Sequence, residues 1–454
     1  MYRQSPELLT ATYRTGVQLD CYIAFASMLS LSVCLDRVFV ELIFYRLCTS
    51  ICGMMVGIIG KPNVGKSTFF NAATLLNVPM ANYPFTTVEP NFGVAYLTTE
   101  CACKSLGVED NPVNSRCVDH TRLIPVKVVD VAGLVKGAAE GRGLGNKFLD
   151  NIRQADALIQ VVDAAGATDE EGIAAAEGSQ NPLSDIEFVE REFDIWLQQL
   201  LLKDWQKIAR TAESGGGKTI DILGERLSGL GIAERHIHAA AEKAGLKLDV
   251  PTGWSNDDLL RFSTVLREES KPSVIAANKA DRPSAKENVE RIEAAGRLTI
   301  PCAAEAELLL RRAAEKKLIR YTPGASDFEV LDKEHLNPVQ LKALEMVREK
   351  VLKIWGSTGV QQAINSAYLD LLQGIVVYPV EDESKFSDKK GNVLPDAYIL
   401  KKGSTAKDLA YTIHSDLGET FLYGVDAKRG MRLGADHPLK NGDVVKIVSS
   451  AKRG

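Results

Sequence analysis

Several features are scarce or absent in this chain of 454 residues. Positive charge is not in excess, because the formal net charge is −5, so the sequence shows no electrostatic footprint for wrapping nucleic acid, although a local basic face could still contact RNA. Its eight cysteines have no regular spacing, which argues against a secreted disulfide framework and indicates a reducing, cytoplasmic setting. What remains is the composition of an ordinary globular protein with room for two or three domains.

A long hydrophobic segment is also missing. The apolar run at residues 21–35 is too short to cross a bilayer comfortably, and no small-residue cleavage site follows it. Residues 1–53 still differ from the rest of the chain, and three interpretations stay open: an upstream stretch with no role, a docking helix, or a membrane anchor. We favour the first, because a strand-like run begins cleanly at Met54, and we expect no stable membrane association.

A glycine-rich motif carries the strongest signal. Residues 60–67 match the pattern G-x-x-x-x-G-K-[ST] and stand between a strand-like run and a helical pattern, which makes a chance turn the weaker alternative. In such a loop the backbone N–H groups surround phosphate oxygens, the lysine reaches the outer phosphates, and the hydroxyl ligates Mg²⁺. The nucleotide-binding residues predicted here are Asn63, Val64, Gly65, Lys66, Ser67 and Thr68.

Three later strand-like runs are predicted, at residues 125–129, 157–162 and 272–277, and the first and the last end in polar motifs. Residues 125–129 end at Asp130, which can hold Mg²⁺ through water, and the N–H of Gly133 can bond a γ-phosphate. Residues 272–277 lead into an N-K-x-D motif formed by Asn278, Lys279 and Asp281. A carboxylate there accepts from the two N–H donors of guanine, which adenine lacks, so the motif favours guanine over a solvated turn. Ala303 and Ala304 follow a further short strand and occupy the usual position of the last base-contacting loop.

These segments resemble a known family. Residues 60–67, 82–87 and 130–138 resemble the Obg-like translation-factor GTPases, and residues 141–149 are similar to the YchF group within them. The resemblance implies an α/β P-loop NTPase G domain with a helical, coiled-coil-like insertion, a C-terminal β-grasp TGS domain, Mg²⁺-dependent nucleotide hydrolysis, and association with the ribosome or ribosomal RNA. The intact N-K-x-D motif looks like the archaeal branch and favours GTP and GDP, with ATP as the alternative. Ala303 stands where the family usually has serine, which leaves its contribution to base binding open.

Several residues are candidates for the hydrolytic step. Many GTPases orient the attacking water with a glutamine directly after D-x-x-G, but Leu134 stands there and the resemblance includes this substitution. Asn63 either holds a K⁺ ion, as in cation-stimulated GTPases, or satisfies its own backbone. Gln160 either orients water or is structural. Thr87, or failing that Thr86, is expected to meet Mg²⁺ as part of the first switch. The predicted catalytic set is Lys66, Thr87, Gly133 and Asn63, the predicted Mg²⁺ ligands are Ser67, Thr87 and Asp130, and slow turnover raised by a partner is expected.

The remaining length predicts further domains. We assign residues 54–305 to the G domain, with an insertion at about 167–270, because Asp130 and Asn278 are too far apart in the sequence for one or two alternating β/α units. Within the insertion, residues 255–258 are typical of a helix start, and apolar residues recur at helical spacing at Ile186, Val189, Phe193, Trp196 and Leu200. Residues 306–373 are predicted as a helical connector packed on the G domain. Residues 374–454 are predicted as the TGS domain, which either docks onto RNA or ribosomal surfaces or is purely structural.

One cluster has metal-like spacing. Cys101, Cys103, Cys117 and His120 could form a tetrahedral zinc site, redox-sensitive thiols, or plain loop residues, and the last interpretation is favoured. For the whole chain we predict a monomeric GTPase switch. The alternatives are an ATPase of the same fold and a nucleotide-gated sensor with negligible turnover.

Overall fold

The computed structural model describes residues 53–75, 92–131 and 152–450. Predictions for residues 1–52, for the first-switch segment and for the segment that follows Val131 therefore lie outside the described residues. Within those ranges, no helix combines the length and the apolar character needed to cross a bilayer.

The main sheet has seven strands: β1 Met55–Ile59, β2 Phe92–Glu100, β3 Arg116–Val118, β4 Thr121–Asp130, β5 Ala157–Asp163, β6 Ser273–Asn278 and β7 Thr299–Pro301. Their order is β2-β4-β1-β5-β6-β7, with β3 paired to β4. Strands β4, β1, β5, β6 and β7 run parallel, whereas β2 and β3 are antiparallel to β4 at one edge. The strand predictions for residues 125–129, 157–162 and 272–277 are confirmed. Since all parallel strands end at one edge, that edge collects the polar residues that follow them.

Helices cover both faces of this sheet. The described helices are α1 Lys66–Thr74, α2 Ala102–Leu106, α3 Pro182–Leu202, α4 Trp205–Glu213, α5 Thr219–Leu227, α6 Glu234–Lys243, α7 Asn256–Ser270, α8 Ala285–Ala294, α9 Ala304–Glu315, α10 Pro338–Val347, α11 Lys353–Trp355, α12 Val360–Asn365, α13 Ala406–Ile413 and α14 Ser415–Glu419. Short 3₁₀ segments occupy Ser228–Leu230 and Pro251–Gly253, and π-helical segments occupy Arg348–Leu352 and Ser366–Leu371.

Helices α3 to α7 lie between β5 and β6. Of the apolar seam predicted on α3, Ile186, Val189 and Phe193 are buried, whereas Trp196 and Leu200 are half-buried and pack against the same core. Trp205, at the start of α4, stacks on Trp254, just before α7, with ring centroids 5.0 Å apart. Helix α7 begins where the sequence signals a start: the hydroxyl of the residue before it accepts an N–H from the third helical residue. The insertion therefore has its own apolar core, which continues into one face of the main sheet.

The C-terminal region is a second sheet of five strands: β10 Gly374–Val380, β11 Tyr398–Lys401, β12 Phe421–Asp426, β13 Met431–Leu433 and β14 Asp443–Ser449. Their order is β11-β10-β14-β12-β13, and β10 and β14 are the parallel pair. Helix α13 packs on one face of this sheet. The other face contributes Val376, Tyr378 and Val380 to the same core that contains Val56 and Phe69 of the G domain. The two sheets thus share one continuous apolar core.

The segment between them is mostly helical, and it also contains a hairpin that was not predicted. A two-stranded hairpin, β8 Ile319–Arg320 and β9 Glu329–Val330, follows α9. The π-helical segment after α12 buries Tyr368 completely, and its hydroxyl donates to the carbonyl of Lys127 in β4. This residue ties the connector to the strand that ends at Asp130.

Candidate nucleotide-binding site

The glycine-rich loop joins β1 to α1, as its motif requires. A Cβ at Gly60 would lie 2.5 Å from the carbonyl oxygen of Val161, and a Cβ at Gly65 would lie 2.2 Å from the amide nitrogen of Asn278. Gly65 also has φ of 93°, in the left-handed region that favours glycine. Both glycines are therefore required by close approaches to β5 and to the end of β6.

The first residues of α1 lie beside the end of β4. The ammonium of Lys66 forms an ion pair with Oδ1 of Asp130. Ser67 is exposed and Thr68 is half-buried in the same helical turn. The lysine, the hydroxyl and the carboxylate that the sequence analysis assigned to phosphate and Mg²⁺ are thus brought together at one edge of the sheet.

Asn278 connects the phosphate loop to the last base-contacting loop. Its amide Nδ2 donates to the carbonyl of Val64 at 2.9 Å, and its Oδ1 accepts the N–H of Ala304 at 3.0 Å. The residue is buried, so both hydrogen bonds are protected from water. Asn278 therefore holds the phosphate loop and the last loop together, and its part in nucleotide binding stays a prediction.

The other two residues of the N-K-x-D motif differ in their surroundings. The ammonium of Lys279 lies 2.8 Å from Oδ2 of Asp163, a carboxylate that is only 1% exposed. Asp163 also accepts the N–H of Ala165 at 3.1 Å and the hydroxyl of Thr168. The sequence analysis did not single out Asp163, although its position at the end of β5, opposite Asn278, is a signal that could have found it.

Asp281 presents its carboxylate at the surface. The side chain is 44% exposed, and its Oδ2 lies 3.7 Å from Nε of the neighbouring Arg282. Because this carboxylate retains acceptor capacity, it is the group in the motif that can meet an incoming ligand.

The last loop is held by the connector. The N–H of Ala303 donates to the carbonyl of Thr358 at 2.8 Å, and Nε1 of Trp355 donates to the carbonyl of Ala280 at 3.0 Å. A Cβ on Gly359 would lie 1.9 Å from the carbonyl oxygen of Pro301. Both predicted base-loop residues are buried, and both backbone N–H groups already have partners within the protein. Their part in base binding stays a prediction.

The phosphate loop also contacts the beginning of the insertion. The ammonium of Lys61 donates to the carbonyl of Thr168 at 2.8 Å and forms an ion pair with Asp185 at 2.7 Å. Burial raises the pKa of Asp185, and the nearby Lys61 opposes that shift. Asn63, with φ of 63°, donates its side-chain amide to the carbonyl of Gly172 at 2.8 Å. The sequence analysis missed these contacts, which join residues far apart in the chain.

Other predicted residues are placed differently or fall outside the description. Gln160 is buried in β5 on the face that carries α3, and its amide is 3.5 Å from the carbonyl of Asp185. Thr86, Thr87, Gly133 and Leu134 lie outside the described residues, so their roles stay predictions.

The cysteine cluster lies at the other end of β2 and β4. The sulfur of Cys103 is 3.9 Å from that of Cys117 and 3.3 Å from Nδ1 of His120. The thiol of Cys101 donates to Oδ2 of Asp110 at 3.1 Å. Asp110 was not among the residues predicted for this cluster. Burial raises the pKa of Cys101 to about 12, and it raises the pKa of Cys117 as well.

The glycine-rich loop, the N-K-x-D motif and the strand order define a P-loop nucleotide-binding protein with a G domain. Three protein-family models match the chain: a 50S ribosome-binding GTPase at residues 55–189, the G4 motif-containing domain of YGR210-like Obg-like GTPases at residues 276–382, and a TGS domain at residues 389–449. A protein of Methanocaldococcus jannaschii named as a GTP-binding protein is 51% identical over 88% of this chain and 100% of its own length. The chain belongs to the YchF/Obg-like GTPase family and carries a C-terminal TGS domain.

Other relatives agree with this assignment. The ribosome-binding ATPase YchF of Bacillus subtilis is 29% identical over 81% of this chain and 87% of its own. A solved GTP-binding protein from Pyrococcus horikoshii is 43% identical, with a TM-score of 0.68, and the match covers 87% of this chain and all of that one. The YchF GTPase structure from Schizosaccharomyces pombe, at 22% identity and a TM-score of 0.52 over 87% of this chain and 98% of that chain, shares the fold.

Proposed function

We propose that this chain is a Mg²⁺-dependent GTPase that works as a switch on the ribosome. The observation that carries the nucleotide choice is the contrast within the N-K-x-D motif. Asn278 and Lys279 are fixed by protein partners, whereas the carboxylate of Asp281 is exposed at the same edge as the phosphate loop. One acceptor-only group is therefore free to select the base.

The selectivity follows from hydrogen-bond chemistry. A carboxylate accepts from the N1–H and the exocyclic amine of guanine, and it finds neither donor in adenine. A polar site that leaves its acceptor unpaired rejects the wrong ligand strongly, because the lost hydrogen bonds are not replaced. ATP remains the competing nucleotide, since the B. subtilis relative is named as an ATPase.

The residues beside the phosphate loop fit Mg²⁺. Ser67 offers a hydroxyl and Asp130 a carboxylate, and both are hard oxygen ligands of the kind that this ion prefers. Bound Mg²⁺ would supply neutralising charge at the phosphates. Lys66 binds Asp130 in this structure, so we infer that the lysine exchanges this carboxylate for phosphate oxygens when nucleotide binds. Thr87 and Gly133 are proposed to complete the site.

The ribosome is proposed as the partner on the basis of relatives. One matching family model is described as a 50S ribosome-binding GTPase, and the B. subtilis relative is named as ribosome-binding. Without a glutamine after D-x-x-G, intrinsic hydrolysis is expected to be slow and to rise when a partner orders the site.

The decisive experiment measures binding and hydrolysis of GTP and ATP with and without ribosomes. The variant Asp281→Asn should lose GTP affinity about 100-fold and gain affinity for xanthosine triphosphate, whose 2-oxo group accepts the amide N–H. The wild-type protein assayed with xanthosine triphosphate is the matched control. Tighter binding of ATP than GTP would reject the guanine assignment. Tight GTP binding without turnover, on or off ribosomes, would instead favour the nucleotide-gated sensor.

A further inference from the structure

The cysteine cluster is a built group of metal-ligand atoms outside the nucleotide site. Cys101, Cys103, Asp110 and Cys117 lie in the excursion between β2 and β4, and one ligand atom from each falls within 4.8 Å of all the others. Cys101 and Cys103 are each 2% exposed. Two buried thiols, a third thiol and a carboxylate therefore converge on one small volume.

Two of the distances between these atoms are close to those of a tetrahedral site. With Zn–S bonds of about 2.3 Å, two sulfur ligands of one zinc ion lie about 3.8 Å apart. The sulfurs of Cys103 and Cys117 are 3.9 Å apart, far beyond the ~2.05 Å of a disulfide. Sulfur and carboxylate oxygen ligands of one zinc lie about 3.5 Å apart, close to the 3.1 Å between Cys101 and Asp110.

Asp110 is better placed than His120 to be the fourth ligand. The imidazole of His120 is 3.3 Å from the sulfur of Cys103, but His120 is exposed in the tight turn between β3 and β4 and is not part of the group of ligand atoms within 4.8 Å of one another. Asp110 instead lies among the thiols and is oriented by Arg122, which is fully buried and 3.1 Å from its Oδ2. Such outer partners orient ligand carboxylates in known metal sites, and the guanidinium also offsets part of the negative charge.

The same excursion joins the G domain to the TGS domain. The N–H of Asn111 donates to the carbonyl of Val393 at 3.1 Å, and the N–H of Val113 donates to that of Pro395 at 2.8 Å. The side chain of Asn114 donates to Asp396 at 2.6 Å. A ligand that fixes the excursion therefore also fixes this junction.

We propose that Cys101, Cys103, Cys117 and Asp110 bind one zinc ion, which holds the segment that joins the G domain to the TGS domain. The four ligands come from a helix start, a loop and a short strand, none of which has a long apolar stretch of its own. Short, irregular segments of this kind gain order when a metal cross-links them.

The test uses the full-length protein produced with zinc. Native mass spectrometry and elemental analysis should give one zinc per chain, and Cys103→Ser and Cys117→Ser should each lose it. His120→Ala is the matched control and should keep it. Because a cysteine variant could misfold, the wild-type protein reconstituted with Co²⁺ supplies an independent readout: intense tetrahedral d–d bands and thiolate charge-transfer bands are expected.

A second readout addresses the junction. Removal of zinc with a chelator should increase hydrogen exchange at residues 392–396, while exchange in helix α7 should not change. Three outcomes would overturn the proposal: a metal-free chain without the Co²⁺ bands, a disulfide between Cys103 and Cys117, or loss of zinc in His120→Ala as complete as in Cys103→Ser.

Discussion

The ammonium of Lys61 and the carboxylate of Asp185 lie 2.7 Å apart, with exposures of only 2% and 13%. The lysine is the second residue of the phosphate loop, and the aspartate is in the first turn of α3. One buried ion pair therefore connects the nucleotide site to the helical insertion, and a change in the loop on nucleotide binding would reach the insertion through it.

Removing one partner of this ion pair should lower the free energy of unfolding more than replacing both partners with apolar residues. Asp185→Asn leaves a buried ammonium without its counter-charge, which typically costs about 3 kcal/mol of unfolding free energy. The double variant Lys61→Met/Asp185→Leu should recover most of that loss, because apolar groups of similar size need no pairing. Chemical denaturation followed by the fluorescence of the tryptophans in the insertion measures both. Equal losses in the single and double variants would contradict this account.

The contact between Lys66 and Asp130 predicts different effects of Asp130→Asn with and without Mg²⁺. In Mg²⁺-free buffer the variant should bind GTP at least as tightly as the wild type, because Lys66 no longer has a competing carboxylate. With Mg²⁺, hydrolysis should fall about 10- to 100-fold, since a group that orients the metal is lost. Titration with a fluorescent GTP analogue and a phosphate-release assay measure the two effects. Lys66→Ala, which should lose binding in both buffers, is the comparison.

Asn63 has one observed contact and one predicted role, and a comparison of K⁺ with Na⁺ tests the predicted role. Its amide donates to Gly172, while its side-chain oxygen is the group predicted to hold a monovalent cation. If that prediction holds, hydrolysis should be about 10-fold faster in K⁺ than in Na⁺. Asn63→Gly, which tolerates the left-handed backbone at this position, should abolish the difference. Equal wild-type rates in the two salts would reject the predicted cation-binding role, and the side chain of Asn63 would then serve to hold Gly172.

His236 predicts a pH dependence of the insertion. Its Nδ1 accepts the N–H of Ala233 at 3.1 Å, and burial, with smaller contributions from Arg235 and Lys271, lowers its pKa from 6.5 to about 4. Between pH 4 and pH 6.5 the unfolded chain therefore binds more protons than the folded chain. The stabilisation that the neutral imidazole gives the folded state is complete above pH 6.5 and is lost as the pH falls to 4. The side chain is only half-buried, which reduces the effect to about 1 kcal/mol.

The control for that prediction keeps the hydrogen bond at the start of α6 and removes the titratable imidazole. Glutamine at the third position of a helix can also accept the N–H that precedes the helix, so His236→Gln should match the wild type near neutral pH. Denaturation midpoints measured between pH 4 and 7 should diverge only on the acid side, with the wild type less stable. Parallel curves would show that another group carries the acid sensitivity.

Local patterns predicted the elements well, because they depend on neighbouring residues. Short stretches of sequence were enough to predict the glycines of the phosphate loop, the buried strands and the start of α7. Contacts between distant residues were not readable. Asp185 lies 124 positions from Lys61, and Asp110 has no periodic relation to the cysteines beside it. Asp163 is an intermediate case, because the strand it ends was predicted while its bond to Lys279 was not.

The apolar core shared by the two sheets also limits how this architecture can be recombined. Val376, Tyr378 and Val380 of the last domain pack into the cluster that contains Phe69 behind the phosphate loop. A gene fusion that moved the C-terminal sheet into another protein would expose those side chains and leave the G domain's half of the cluster uncovered. Exchange between distant lineages should therefore favour inheritance of the two domains as one block, with swapped versions needing compensating substitutions on both faces.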